Sequence, residues 1–331
     1  MKKPSKIIMI IVLVVIVFLG IYTAIYSAVG SYKSVHTPRQ SLLKTPVDYG
    51  LEYQNIEFTT SDDLKLKGWW IPNQSKSTIV VIHGYGANRA GWKGKNTKGQ
   101  EEYIDWMAGA VPLYRAGYSL LLFDLRACGE SEGEMVTLGY HEEKDVEAAI
   151  EWLLENDHKT DDAPTEHIGL LGFSMGGNVA LRGGRIVKKL IEESQIKSAA
   201  VVAVGPTIYS TMIDKSLSYW AGGMPTPFFM PTLFKKAVSY RLGFDVTKEL
   251  DPTRYVSQIS PVPVMYIQAE KDEIGDVSDV TAMFKASKEP KDIIIIPDAL
   301  RFEHYKYPAE HPERVIEFFD QYLDDKSKKG T

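Results

Sequence analysis

The chain has one cysteine, Cys128, in 331 residues, so an intrachain disulfide framework is excluded. With only seven histidines, none clustered with that cysteine, the spacing of a structural zinc site is missing as well. There is no basic surplus: 38 Lys and Arg against 43 Asp and Glu give a formal net charge of -5, the wrong sign for a nucleic-acid partner. Internal repeats and low-complexity tracts are also lacking, so solenoid and disordered architectures fall away. What remains is a chain that is 44% hydrophobic and 24% charged, long enough for one large α/β domain.

Charge is scarcest near the N-terminus. After Lys2, Lys3 and Lys6, residues 7–30 are uncharged and mostly apolar, enough to cross a hydrocarbon layer about 30 Å thick as a helix. A cleaved signal peptide is the rival, but its apolar core is shorter, and Tyr22, Ile25 and Tyr26 disturb a small-x-small cleavage pattern. The expectation is an uncleaved single-pass anchor over residues 1–30, with a secreted form as the alternative. The tighter basic cluster puts the N-terminus inside and the rest of the chain outside the cytoplasm. Residues 31–50, with Pro38 and Pro46, read as a linker.

From residue 51 on, apolar runs alternate with helical periodicity. "LEYQNIEFTT" and "LKLKGWWIP" predict a hairpin; "STIVVIHG", "YSLLLFDLR", "HIGLLGF", "SAAVVAVG", "VPVMYIQ" and "KDIIIIP" predict buried strands. "EEYIDWMAGAVPLYRAG", "HEEKDVEAAIEWLLEN", "MGGNVALRGGRIVKKLIEES" and "PERVIEFFDQYL" predict helices between and after them. The alternation implies an eight-stranded, mostly parallel sheet with helices on both faces. Residues 208–250 break it. Rich in aromatics and Met, they follow the sixth strand, where an insertion lies at the carboxyl edge of the sheet and reads as a lid. Trp220, Phe228 and Phe229 are its candidate substrate contacts.

Between the strand "HIGLLGF" and the following helix stands Gly172-Phe173-Ser174-Met175-Gly176. This is G-x-S-x-G, a turn that exposes a serine hydroxyl at the top of a sheet. Such a serine needs a base to take its proton and an acid to orient the base, in the chain order Ser, Asp or Glu, His. Only His304 and His311 follow Ser174. His304 is preferred, in a loop after "IIIIP", because His311 sits beside Pro312 where a helix would open. Asp272, just past "VPVMYIQ", is the preferred acid, with Asp276 second and Glu270 and Glu273 nearby. The backbone N–H groups of Met175 and Tyr85, the latter in "HGYGAN", are the expected oxyanion donors. His83 and Cys128 are read as structural residues rather than a base and a second nucleophile.

The segments "HGYGAN", "DLRACGESEG", "GFSMGG", "IQAEKDEIGD" and "FEHYKYPAEHPERVIEFF" resemble the α/β-hydrolase superfamily, in particular bacterial membrane-anchored or secreted serine hydrolases of the S33-type and Bem46-like groups. The resemblance spans residues 51–323 and departs from the family pattern at Cys128, where a His is usual, and at Ala269, where a Gly is usual. It implies an α/β-hydrolase domain over residues 51–331 and cleavage of a carboxylic ester or related acyl bond through an acyl-enzyme on Ser174. No metal or organic cofactor is implied, and the partners are a small apolar acyl substrate and the lipid bilayer. Thioesterase and aminopeptidase activities are the enzymatic alternatives; a non-catalytic binding protein on the same scaffold is the alternative of another class.

Overall fold

The computed structural model describes residues 6–96, 98–156, 164–220 and 226–323. The chain opens with helix α1 (Lys6–Val35), then strands β1 (Gln54–Thr59), β2 (Lys65–Ile71) and β3 (Ser77–Ile82). Next come strands β4 (Gly91–Lys95) and β5 (Glu101–Asp105), helix α2 (Trp106–Arg115), β6 (Ser119–Phe123) and α3 (Glu142–Asn156). Strand β7 (His167–Phe173) leads into α4 (Met175–Glu192), and β8 (Ser198–Val204) into α5 (Tyr209–Trp220), α6 (Met230–Leu242) and α7 (Val246–Glu249). Strand β9 (Val264–Ala269), α8 (Val277–Ala286), β10 (Lys291–Ile296), α9 (Arg301–Glu310) and α10 (Pro312–Tyr322) complete the described chain.

Eight strands form one sheet in the order β1-β2-β6-β3-β7-β8-β9-β10. β1 and β2 pair antiparallel, β2 joins β6 antiparallel, and every later pairing is parallel. Continuous apolar strands are what a sheet covered on both faces requires. Along β3 the alternation is explicit: Val80 and Ile82 face a core shared with α3, α4 and α8, while Ile79 and Val81 face one shared with α2 and α10. This is the α/β-hydrolase arrangement, and the insertion of α5, α6 and α7 falls between β8 and β9.

Two segments differ from the sequence reading. Residues 101–105, expected to open a helix, form β5, which pairs antiparallel with β4 from Gly91↔Asp105 to Lys95↔Glu101. Asp105 accepts the Ala108 amide at 3.1 Å, so it caps α2 and fixes its start at Trp106. The polar stretch after "HGYGAN" is thus a hairpin.

The second is the expected linker. Residues 31–35 are the last turn of α1, and Val35 is fully buried. The helix is long and apolar enough to cross a membrane, yet only its first half stands clear of the body. Beyond it, Thr23, Ser27, Ser31 and Val35 make a buried i, i+4 stripe, and Val35 shares an apolar core with Tyr209, Ile213, Leu217, Met230 and Phe234 of the insertion. Arg241 donates to Ser31 Oγ and to the Ala28 carbonyl, both at 2.8 Å. Small side chains on this stripe let α6 lie close against α1.

Candidate active site

Ser174 sits between β7 and α4 at φ 54°, ψ −120°, a backbone conformation few side chains tolerate. Its amide donates to the Val204 carbonyl at 2.7 Å, anchoring the turn to β8. The turn is this tight because a Cβ on Gly172 would run into the Gly176 carbonyl, and one on Gly176 into the carbonyls of Ile82 and His83. Glycine at both positions is a packing requirement.

The serine opens into a cavity of about 620 Å³ whose lining is mainly apolar. Tyr85 and Met175, the expected oxyanion donors, line it with Ser174. Met175 is the first residue of α4, where amides lack an intrahelical acceptor. Trp92 of the β4–β5 hairpin closes one side, stacked on Phe302 with ring centroids 5.2 Å apart. Of the insertion, Tyr209, Met212, Ile213 and Phe234 reach the cavity. Phe228 and Phe229 do not: Phe228 is 94% exposed and its ring stacks edge-on against Phe229 at the surface. The turn that carries them points outward, which corrects their assignment as substrate contacts. Trp220 ends α5, and its side chain lies outside the described residues.

Asp272 is buried just beyond β9, where its carboxylate accepts the Ile274 and Gly275 amides at 2.8 and 2.9 Å. Burial alone would raise its pKa, but Arg301, His304 and those amides hold the carboxyl below its ordinary range. The neighbouring acids are occupied elsewhere. Asp276 caps α8 and pairs with Lys215, Glu270 accepts from the Asp298 amide, and Glu273 accepts from the Arg301 amide.

His304 is not in a loop; it lies on α9, fully buried. Pro308 inside that helix hid it, since proline cannot donate to the His304 carbonyl one turn back. Its Nδ1 accepts the Ala269 amide at 3.2 Å and lies 3.9 Å from Asp272 Oδ2. A neutral ring accepting at Nδ1 carries its proton on Nε2, and that atom is buried without a partner. A general base for Ser174 needs the opposite tautomer, with Nδ1–H on the acid and a bare Nε2 on the serine. The hydrogen bond expected between His304 and Ser174 is not formed. Burial pushes the imidazole pKa down to about 3, against the attraction of Asp272.

Arg301 occupies the space between acid and serine. Its Nη1 donates to both Asp272 oxygens, at 3.2 and 3.3 Å, and its Nη2 to Ser174 Oγ at 3.4 Å. Burial works against the guanidinium, but Tyr305 and Asp272 raise its pKa above the usual arginine value, so it stays charged. The sequence reading passed over this residue. A cation in the first turn of a helix opposes the helix dipole, but the segment was read as a loop, so no local signal marked the residue.

The residues read as structural behave so. His83 accepts the Leu125 amide at Nε2, 3.0 Å, and binds the Gly84 carbonyl at Nδ1, 2.8 Å. Cys128 is buried in the core beside Ala127 and Val136, and burial raises its thiol pKa. His311 is exposed at the joint of α9 and α10, 3.6 Å from Glu313.

The chain is 23% identical over 276 residues to the protein YfhR of Escherichia coli K12, covering 80% of each. It is 25% identical to the polyketide transferase GrgF of a Penicillium species, covering 74% of this chain and 88% of the relative. An esterase of Pyrococcus furiosus superposes with a TM-score of 0.66 at 29% identity, covering 88% of this chain and 99% of the other. The family model for the alpha/beta hydrolase family matches residues 79–318. With that match over most of its length, and a sheet and serine turn of the corresponding form, the chain belongs to the alpha/beta hydrolase family of enzymes.

Proposed function

We propose that this hydrolase takes an apolar acyl ester into the cavity above Ser174 and cleaves it through an acyl-enzyme on that serine. The observation that carries the reading is the strained backbone of Ser174 at the floor of an apolar cavity, beside the start of α4. Ser174 Oγ attacks the carbonyl carbon, its proton passes to a base, and the Tyr85 and Met175 amides take the oxyanion. The alcohol then leaves with a proton, and water releases the acid. Asp272 is the acid and His304 the base of this route. His304 serves only from a rearranged α9, in which Nδ1–H turns to Asp272 and Nε2 faces the serine. Similarity to the Pyrococcus esterase favours an ester over an amide or thioester.

The same reading keeps α1 uncleaved, as a membrane anchor. Cleavage after a signal peptide would remove Tyr26 and Gly30, which pack on Phe234 and line the cavity.

A second reading, ligand binding without turnover, is favoured by Arg301, because a guanidinium cannot accept the serine proton. Labelling with a short fluorophosphonate and a panel of chromogenic acyl esters, each beside Ser174→Ala, separates the two. Covalent label on Ser174 with Ser174-dependent turnover supports the hydrolase; saturable ligand binding with neither supports the second reading.

A further inference from the structure

One wall of the Ser174 cavity is α1 itself. Tyr26, Gly30, Lys33 and Ser34 line it, and Tyr85 donates its hydroxyl to the Ser34 carbonyl at 2.9 Å. A second groove, about 540 Å³, runs along the same helix past Phe18, Ile21, Ile25 and Val29. It shares Tyr26, Gly30 and Lys33 with the cavity, so the two meet at those residues.

The position of α1 against the body fixes how deep that junction sits. Gly30 faces the Phe234 ring, where a Cβ would come within 2.8 Å, and Arg241 grips Ser31 and Ala28. About 20 apolar residues cross the hydrocarbon layer, and counted from Ile7 that length ends at Tyr26. Tyr22 and Tyr26 then fall at the bilayer surface, the level that tyrosine rings favour. The junction between groove and cavity is at that level. Helix α6, packed on α1, carries Leu233 and Tyr240 exposed seven residues apart on one face, with Phe229 one turn before.

Charge at the mouth has one sign. Lys33 and Lys95 are exposed lining residues, and among the described lining residues there is no Asp or Glu; Arg301, inside, is paired with Asp272. In a chain of net charge -5 that is a local reversal.

Building on an uncleaved α1 and a ligand site at Ser174, we propose that the substrate is a membrane amphiphile, an acyl lipid with an anionic headgroup, that enters sideways from the bilayer. Its chain follows the groove along α1, its ester carbonyl reaches Ser174, and its headgroup stays at Lys33 and Lys95.

The test uses the full chain in phosphatidylcholine vesicles doped with a diazirine-acyl phosphatidylglycerol or, in a parallel arm, a diazirine-acyl phosphatidylcholine, with crosslinks mapped by peptide mass spectrometry. The expected result is label on Met212, Ile213 or Phe234, several-fold stronger from the anionic probe. Lys33→Glu with Lys95→Glu should lower that label several-fold while label on residues 7–21 is retained. Label confined to residues 7–21, or equal cavity label from both probes, overturns the proposal. The reaction reading fails separately: a Ser174 that ignores a short fluorophosphonate while the cavity still crosslinks lipid leaves the lateral site standing without catalysis. A Ser174 that labels while the cavity takes no lipid sinks the lateral site alone.

Discussion

Arg301 donates to the Ser174 hydroxyl at 3.4 Å from the same guanidinium that holds Asp272. Asp272, Arg301 and Ser174 thus form one line of hydrogen bonds, with a permanently charged donor between carboxylate and hydroxyl. On the proposed route His304 takes the serine proton once Arg301 has withdrawn. Positioned acid–base catalysis is worth about 10²–10⁴-fold, so His304→Gln should lower kcat/KM on a soluble ester by about 10²-fold or more in folded protein. Adding Ser174→Ala should lower it little further. If His304→Gln keeps wild-type turnover, or Arg301→His raises it by about 10²-fold, His304 is not the base.

Acid should weaken the fold through His304. The buried ring has a folded pKa of about 3 against 6.5 when free, so between those values the unfolded chain binds a proton that the folded chain does not. Stability from this group is intact above pH 6.5 and falls as pH drops towards 3, by up to about 1.4 kcal/mol per pH unit. His304→Gln should flatten that slope in urea unfolding measured at intervals from pH 7 to 4. An unchanged slope would mean that His304 is charged in the folded protein.

A chain beginning at Ser31 should be worse than one beginning at Ile21. The shorter one lacks Tyr26 and Gly30 and uncovers Phe234, a loss of about 1.5–3 kcal/mol if that ring becomes fully exposed. Thermal unfolding and size-exclusion chromatography should show a lower Tm and self-association for the shorter chain only. Equal behaviour of the two would show that α1 is a separable anchor.

Trp92 should matter to long acyl chains, whereas Phe228 should not. Trp92 lines the cavity against Phe302, so Trp92→Ala should cost about 1–3 kcal/mol in kcat/KM for long-chain esters and less for acetate. Phe228→Ala, at an exposed turn, should leave both ratios unchanged. The reverse pattern would place the substrate outside the cavity.

The sheet was legible because its strands are continuous apolar runs, and Ser174 because glycines crowd it between a strand and a helix. Asp272 was legible as a candidate from its place just past β9, where the structure buries it. Less visible were features set by packing between distant segments. β5 reads as helix locally and becomes a strand because β4 pairs with it. The Phe228–Phe229 pair is apolar enough for a substrate contact, but the direction of its turn is a tertiary property. Counting histidines after Ser174 singled out His304 by elimination, and elimination cannot see that Arg301 fills the space between Asp272 and Ser174.

The joint between α1 and α6 also orders the protein's biogenesis. Arg241 reaches back 210 residues to Ser31, so α1 leaves the ribosome well before its partner helix has been made. Proteins made from the N-terminus fold progressively as segments emerge. The cavity wall that α1 provides therefore cannot close until α6 has been made, and the site stays incomplete until the nascent chain has folded back onto its own first helix.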